Sequence, residues 1–181
     1  DDGTHGNELW KSDGTDTGTT MVKDIYAGGG GYINQIKAVG NTVYFSADDG
    51  THGNELWMSD GTDTGTVMVK DINGGSLGSA INYLTAVGNT LFFRAYDATH
   101  GYELWKSDGT ASGTVMVKDI NSGSSSGAPT EITAVGNTLY FRASDGTNGN
   151  ELWMSDGTDT GTVMGKDINS GSLGRAPYSL T

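Results

Sequence analysis

The chain is 181 residues long, enough for a domain with a real core, and it carries 22 acidic against 10 basic residues for a net charge of −12. That balance repels nucleic acid and anionic lipid and sets both aside as partners. Cysteine is absent, which excludes disulfides and thiolate metal sites, and no apolar run reaches the length of a membrane span.

In chain order the first feature is an acidic loop, "DDGTHGNE" (Asp1 to Glu8), which runs into the octet "ELWKSDGT" (Glu8 to Thr15). The octet returns as "ELWMSDGT" from Glu55, and again from Glu103 and Glu151. Trp10, Trp57, Trp105 and Trp153 are therefore spaced at 47, 48 and 48 residues. A fixed period of that length outranks every local signal and falls in the range of propeller blades, roughly 40 to 50 residues. Thirty glycines suggest a flexible polymer, but the apolar residues fall in short, regularly placed runs of Val, Ile, Leu, Tyr, Phe and Trp that flexible linkers do not have.

Overlaying the copies predicts four strands per repeat. The first is short, "LTAV" (Leu84 to Val87) or "EITAV" (Glu131 to Val135), and a Gly-Asn hairpin leads into "TLFFRAYD" (Thr90 to Asp97). The third is "YELWKS" (Tyr102 to Ser107); an Asp-Gly-Thr turn and a polar loop precede the fourth, "TVMVKDI" (Thr114 to Ile120). Helix has no room, because Gly or Asp-Gly interrupts the chain every ten residues or so. "LFF", "LYF" and "VMV" place apolar side chains on both faces of their strands, as a blade between two neighbours requires. The expectation is an all-β, β-propeller-like array of four-stranded antiparallel blades built from four repeats of about 48 residues, near 1–37, 38–85, 86–133 and 134–181, in one repeat domain. An open superhelical stack of the same units is the alternative. A calcium-binding roll would need nonapeptide or hexapeptide spacing, which is not found.

With "ELWxSDGTxxGTxxVKDI" repeated at this period, the chain resembles the bacterial ELWxxDGT repeat proteins, and the resemblance covers essentially all of it. It implies a propeller-like scaffold in a secreted or surface-associated polypeptide and implies no reaction. Three departures mark the end units as less tightly packed: Gly165 where Val22, Val69 and Val117 stand, Thr20 in place of Val67, and a first linking loop one residue short.

The four tryptophans are candidate ligand-binding platforms, since an exposed indole face stacks on sugar. Core packing is the stronger reading, because each alternates with Leu in a strand and burying one is worth about 4 to 6 kcal/mol at most. The Asp-Gly-Thr turns at Asp13, Asp60, Asp108 and Asp156 offer carboxylates, but Asp accepts from backbone two residues on and Gly supplies positive φ, so the turn is complete without metal. The second acidic loop, with Asp48, Asp49 and Glu55, is the better metal candidate, for calcium, and no other cofactor is expected. His5, His52 and His100 share a register filled by Asn148 in the fourth repeat, so they belong to the repeat and not to a single catalytic constellation. The Lys-Asp pairs beginning at Lys23, Lys70, Lys118 and Lys166 read as a solvated outer rim.

Asp1 aligns with Asp48 and Thr181 with Thr85, so the segment matching Ala38 to Ala47 is not represented ahead of the first octet. The first unit is expected to lack its inner strands, which a longer array or another copy would supply. The functional expectation is a non-catalytic secreted or cell-surface scaffold that binds protein or carbohydrate. The alternative is a head-to-tail extracellular fibre self-associating through its incomplete blade.

Overall fold

The computed structural model describes residues 1–168 and 171. Among them every regular element is a strand, and no helix is long and apolar enough to cross a membrane. The chain forms two compact units, Asp1–Ile81 and Asn82–Thr181.

The first unit holds a two-stranded sheet, β1 (Leu9–Lys11) with β2 (Thr20–Lys23), and a four-stranded antiparallel sheet in the order β3 (Asn34–Val39), β4 (Thr42–Asp48), β5 (Asn54–Ser59), β6 (Val67–Lys70). The second unit repeats the four-stranded meander twice. One sheet runs β7 (Asn82–Val87), β8 (Thr90–Asp97), β9 (Gly101–Ser107), β10 (Val115–Lys118); the other runs β11 (Thr130–Val135), β12 (Thr138–Ser144), β13 (Asn150–Ser155), β14 (Val163–Lys166). All sheets are open meanders and none closes on itself.

The hairpin between the first two strands of each full sheet turns on Gly40, Gly88 and Gly136, with φ of 59°, 56° and 61°. Positive φ at the first central position is the demand of a type II′ turn, which is why Gly precedes Asn there. Registers then coincide: Phe45 pairs Trp57, Phe93 pairs Trp105 and Phe141 pairs Trp153. The three phenylalanines have no exposed surface. Strand β8 buries Leu91, Phe92 and Phe93 in succession, hence on both faces, whereas β12 alternates buried with half-buried positions.

Within the second unit, Phe92, Leu104, Val117 and Ile120 of one sheet share a core with Ile132, Leu139, Phe141 and Trp153 of the next. In the first unit Ile25, which follows β2, packs with Phe45, Ala47 and Trp57. Lysines add exposed ties between repeats. Lys11 donates to the Gly61 carbonyl at 2.8 Å and Lys23 to the Asp63 carbonyl at 3.1 Å; Lys106 and Lys118 do the same with Gly157 and Asp159. The strand-end lysines thus cap the Asp-Gly-Thr turn of the following repeat, where exposure limits each pair to about 1 kcal/mol or less.

Two boundaries differ from the pattern reading. Each inner strand begins about two residues earlier than its apolar run, through a register shift between Asn34 and Lys37, Asn82 and Thr85, or Thr130 and Thr133. At these bulges Gln35, Tyr83 and Glu131 take φ of 53°, 58° and 55°, a left-handed conformation that propensity gives no reason to expect of them. The sheets consequently span 34–70, 82–118 and 130–166, and the repeat boundaries at 38, 86 and 134 fall inside the inner strand. Each outer strand is shorter than expected: β10 stops at Lys118, because Asp119 and Ile120 turn away to meet a buried side chain of the strand beside it.

Candidate functional site

That buried side chain is the glutamate of the octet. Glu55, Trp57 and Ser59 project from one face of β5, and Glu55 lies opposite Ala47, whose small side chain leaves room for a folded-back carboxylate. Glu55 and its equivalents Glu103 and Glu151 have no exposed surface. Glu55 accepts from the Ile72 and Asn73 backbone at 3.1 and 3.4 Å and from the Ser79 hydroxyl at 2.6 Å. Glu103 accepts from the backbone of Ile120, Asn121 and Gly127. Glu8 accepts from Ile25 and Gly31, and Glu151 from Ile168. In the first three repeats one carboxylate therefore pins both ends of the loop that leads from a fourth strand to the next first strand, and Glu151 holds the start of the last one. Gly127 is required there, since a Cβ would strike the Glu103 carboxylate and Ile120.

The octet's remaining polar groups close its own turn. Asp60 accepts from the Thr62 backbone at 2.9 Å and the Thr62 hydroxyl at 2.7 Å; Thr62 in turn accepts from Gly65 at 3.0 Å. Ser59 and Thr66 meet at 2.7 Å, and Thr66 donates to the Thr62 carbonyl at 2.6 Å. Thr66 is thus the acceptor toward Ser59. The same network recurs from Asp13, Asp108 and Asp156. A Cβ on Gly65 would overlap the Asp60 carboxylate, which explains the second glycine of the motif. The threonine hydroxyl and backbone hold these aspartates below the usual carboxylate range.

The acidic loop forms a third closed motif. Asp49 accepts from the Thr51 and His52 backbone through Oδ1 and meets His52 Nδ1 at 2.7 Å through Oδ2. Asp2 with His5 and Asp97 with His100 repeat it. In the fourth repeat Asn148 Nδ2 donates to Asp145 at 2.7 Å, so the position needs a donor and the histidines carry their proton on Nδ1. The aspartate raises each imidazole above its ordinary value, mainly through that hydrogen bond and further through the charges of Asp71 and Glu55 on His52, or of Asp119 and Glu103 on His100. Burial works to raise Asp49 and Asp97, but their hydrogen bonds outweigh it and both lie low.

Among the described residues no three His, Asp or Glu side chains converge to hold a metal. The calcium candidates Asp48, Asp49 and Glu55 are separated in role: Asp48 accepts from Gly50, Asp49 closes the histidine turn, and Glu55 latches the linking loop. Of the tryptophans, Trp57, Trp105 and Trp153 are 6%, 7% and 6% exposed, so their ring faces lie in the core, while Trp10 is 38% exposed. Trp10 lines an apolar cavity of about 210 Å³ with Leu9, Val22, Ile36 and Val43. The glutamate latch was missed by pattern reading. Its signal was present in Glu standing at a fixed interval of 17 residues before Ile in all four repeats.

Burial pushes the Glu103 carboxyl up to about 7 and the Glu55 carboxyl up to about 6, against the donors that favour the ionised form. Both exceed the unfolded value, so the stability they contribute is complete below about 4.5 and is lost as pH rises through 6 to 7. The raised histidines act in the same direction above about 6.5, while the lowered aspartates withdraw stability only below about 4. The melting temperature is expected to be higher at pH 5 than at pH 8 at fixed ionic strength, with the two glutamates contributing on the order of 2 kcal/mol each. A thermal-melt series across that range checks the sign.

Neither a family model nor a curated protein matches the chain. Among solved structures it is similar to the computationally designed Ika8 protein, with a TM-score of 0.51 at 18% identity over 98% of this chain and 48% of that one. The chain spans about half the length of the designed protein, and the likeness is one of fold: all-β, built from repeated antiparallel sheets.

Proposed function

We propose that the protein is a non-catalytic repeat scaffold, propeller-like in its blade arrangement, secreted or displayed at a cell surface, whose sheets and loops present binding sites for protein or carbohydrate. One observation carries the reading: the polar groups that recur in every repeat are spent on holding the repeat together. Glutamate latches the linking loop, Asp-Gly-Thr closes one turn and Asp with His or Asn another, so the recurring chemistry of the repeat is architectural. Resemblance to the ELWxxDGT repeats supports the exported setting. Glycan-array and protein-capture binding tests the reading; saturable binding of a ligand without turnover is expected, and chemical conversion of a bound ligand would overturn it.

The fibre is a second reading, favoured by Trp10 of the edge strand β1, which stands half-open beside an apolar cavity. An edge of that kind invites strand addition. Sedimentation at rising concentration separates the two: growth in mass that a Trp10→Lys change abolishes favours the fibre, and a constant monomer mass favours the scaffold.

A further inference from the structure

The sheet β7–β10 departs from its sisters at one end. Arg94 of β8 lies between two tyrosines, with its guanidinium carbon 5.0 Å from the ring centre of Tyr83 and 5.0 Å from that of Tyr102. Tyr96, the cross-strand partner of Tyr102, adds a third ring at 5.1 Å, tilted by 55°. The equivalent positions carry Gln35, Ser46, Asp48 and Asn54 in the sheet before it and Glu131, Arg142, Ser144 and Asn150 in the sheet after it. No other repeat combines an arginine with these rings, so architecture common to all repeats does not account for the cluster.

The arginine is also without an acceptor among the described residues. Its Nε is buried with no hydrogen-bond partner, and the guanidinium makes no ion pair with any described residue, on a chain that has 22 carboxylates to offer. A buried unsatisfied donor costs about 1 to 3 kcal/mol, so an acceptor is called for. In β11, the register that holds Tyr83 in β7 holds Glu131; at the Arg94 site a ring has replaced the carboxylate. Tyr83 keeps 36% of its surface exposed, which leaves a ring face accessible beside the charge.

We infer that Tyr83, Arg94, Tyr96 and Tyr102 form a binding site for a sugar acid, a pyranose bearing a carboxylate. The carboxylate takes the planar donor fork, which the flanking rings hold in a fixed orientation. The C–H face of the sugar lies on Tyr83, burying apolar surface against an aromatic ring. Two features select a small monoanion over a polyanion: the site offers one cation, and the net charge of −12 repels extended negative chains. The site deepens the scaffold reading above by giving it a ligand class, and rests on it.

The test is titration of the whole chain with D-glucuronate, followed by tyrosine-region NMR shifts and calorimetry, with D-glucose and acetate as the uncharged sugar and the ringless carboxylate. Saturable binding in the millimolar range, at least about tenfold weaker for glucose and for acetate, is expected. Arg94→Gln should weaken glucuronate at least about tenfold, and Tyr83→Ala, at an exposed position, several-fold with the melt unchanged; Arg94→Lys should recover only part, since an ammonium lacks the fork. No saturable response of the wild-type chain, or equal affinity in Arg94→Gln and wild type, overturns the assignment. In the second case the scaffold reading stands and the sugar sits elsewhere.

Discussion

Glu103→Ala is expected to cost about 3 kcal/mol or more of folding stability, far more than removal of an exposed carboxylate. The carboxylate has no exposed surface and receives three backbone N–H groups, from Ile120, Asn121 and Gly127. Alanine leaves those donors buried without an acceptor and opens a void beside Ala95 and Ile120. By contrast Asp159→Ala, which removes an exposed partner of Lys118, should cost less than about 1 kcal/mol. Urea denaturation of both variants measures the difference, and similar losses would show that the glutamate is no latch. The high carboxyl value does not conflict with this. Protonation removes the charge but leaves oxygens that accept, whereas alanine removes the acceptor altogether. The variant should also lose part of the wild-type dependence between pH 5 and pH 8, which ties the stability loss to this group.

Fusing a second copy of the hairpin Ala38–Ala47 directly ahead of Asp1 is expected to complete the β1–β2 sheet. The junction recreates the sequence "YFSADDGTHGNELW" of the second repeat, in which Phe45 pairs Trp57. In the fusion the added phenylalanine would pair Trp10, and the indole would pass from 38% exposed toward the 6–7% of its sisters. Each large apolar side chain buried is worth about 1.5 to 3 kcal/mol, and the added strand pairing and burial have to outweigh the hairpin's ordering for the expected net stabilisation to appear. A blue shift of tryptophan emission and a higher melting temperature are the readouts. A matched fusion with Asp in place of the added Phe should give neither; equal behaviour of the two fusions would mean that the edge of β1 does not accept this strand.

Much of this was legible in the residues. Strand identity, the Gly-Asn hairpin and the meander order follow from runs such as "LFF" between glycine turns, because those signals are local. The register of Thr85 with Phe92 follows once the Gly88-Asn89 turn is fixed, since a two-residue hairpin leaves the strands one way to pair. The early, bulged start of each inner strand was not legible: left-handed φ at Tyr83 and Glu131 runs against propensity and is enforced by the sheet around them.

The site-level outcome divides along the same line. The sequence by itself determined the repeat, its all-β class and the self-sufficiency of the Asp-Gly-Thr turn, because period, alternation and contacts two residues apart are written along the chain. Only the tertiary structure decided that the octet's glutamate is a buried latch, that three tryptophans are core while Trp10 is half-open, and that Arg94 stands between Tyr83 and Tyr102. Those are contacts between residues 8 to 24 apart in the chain, and their distance in space depends on strand pairing and loop return that no local pattern encodes.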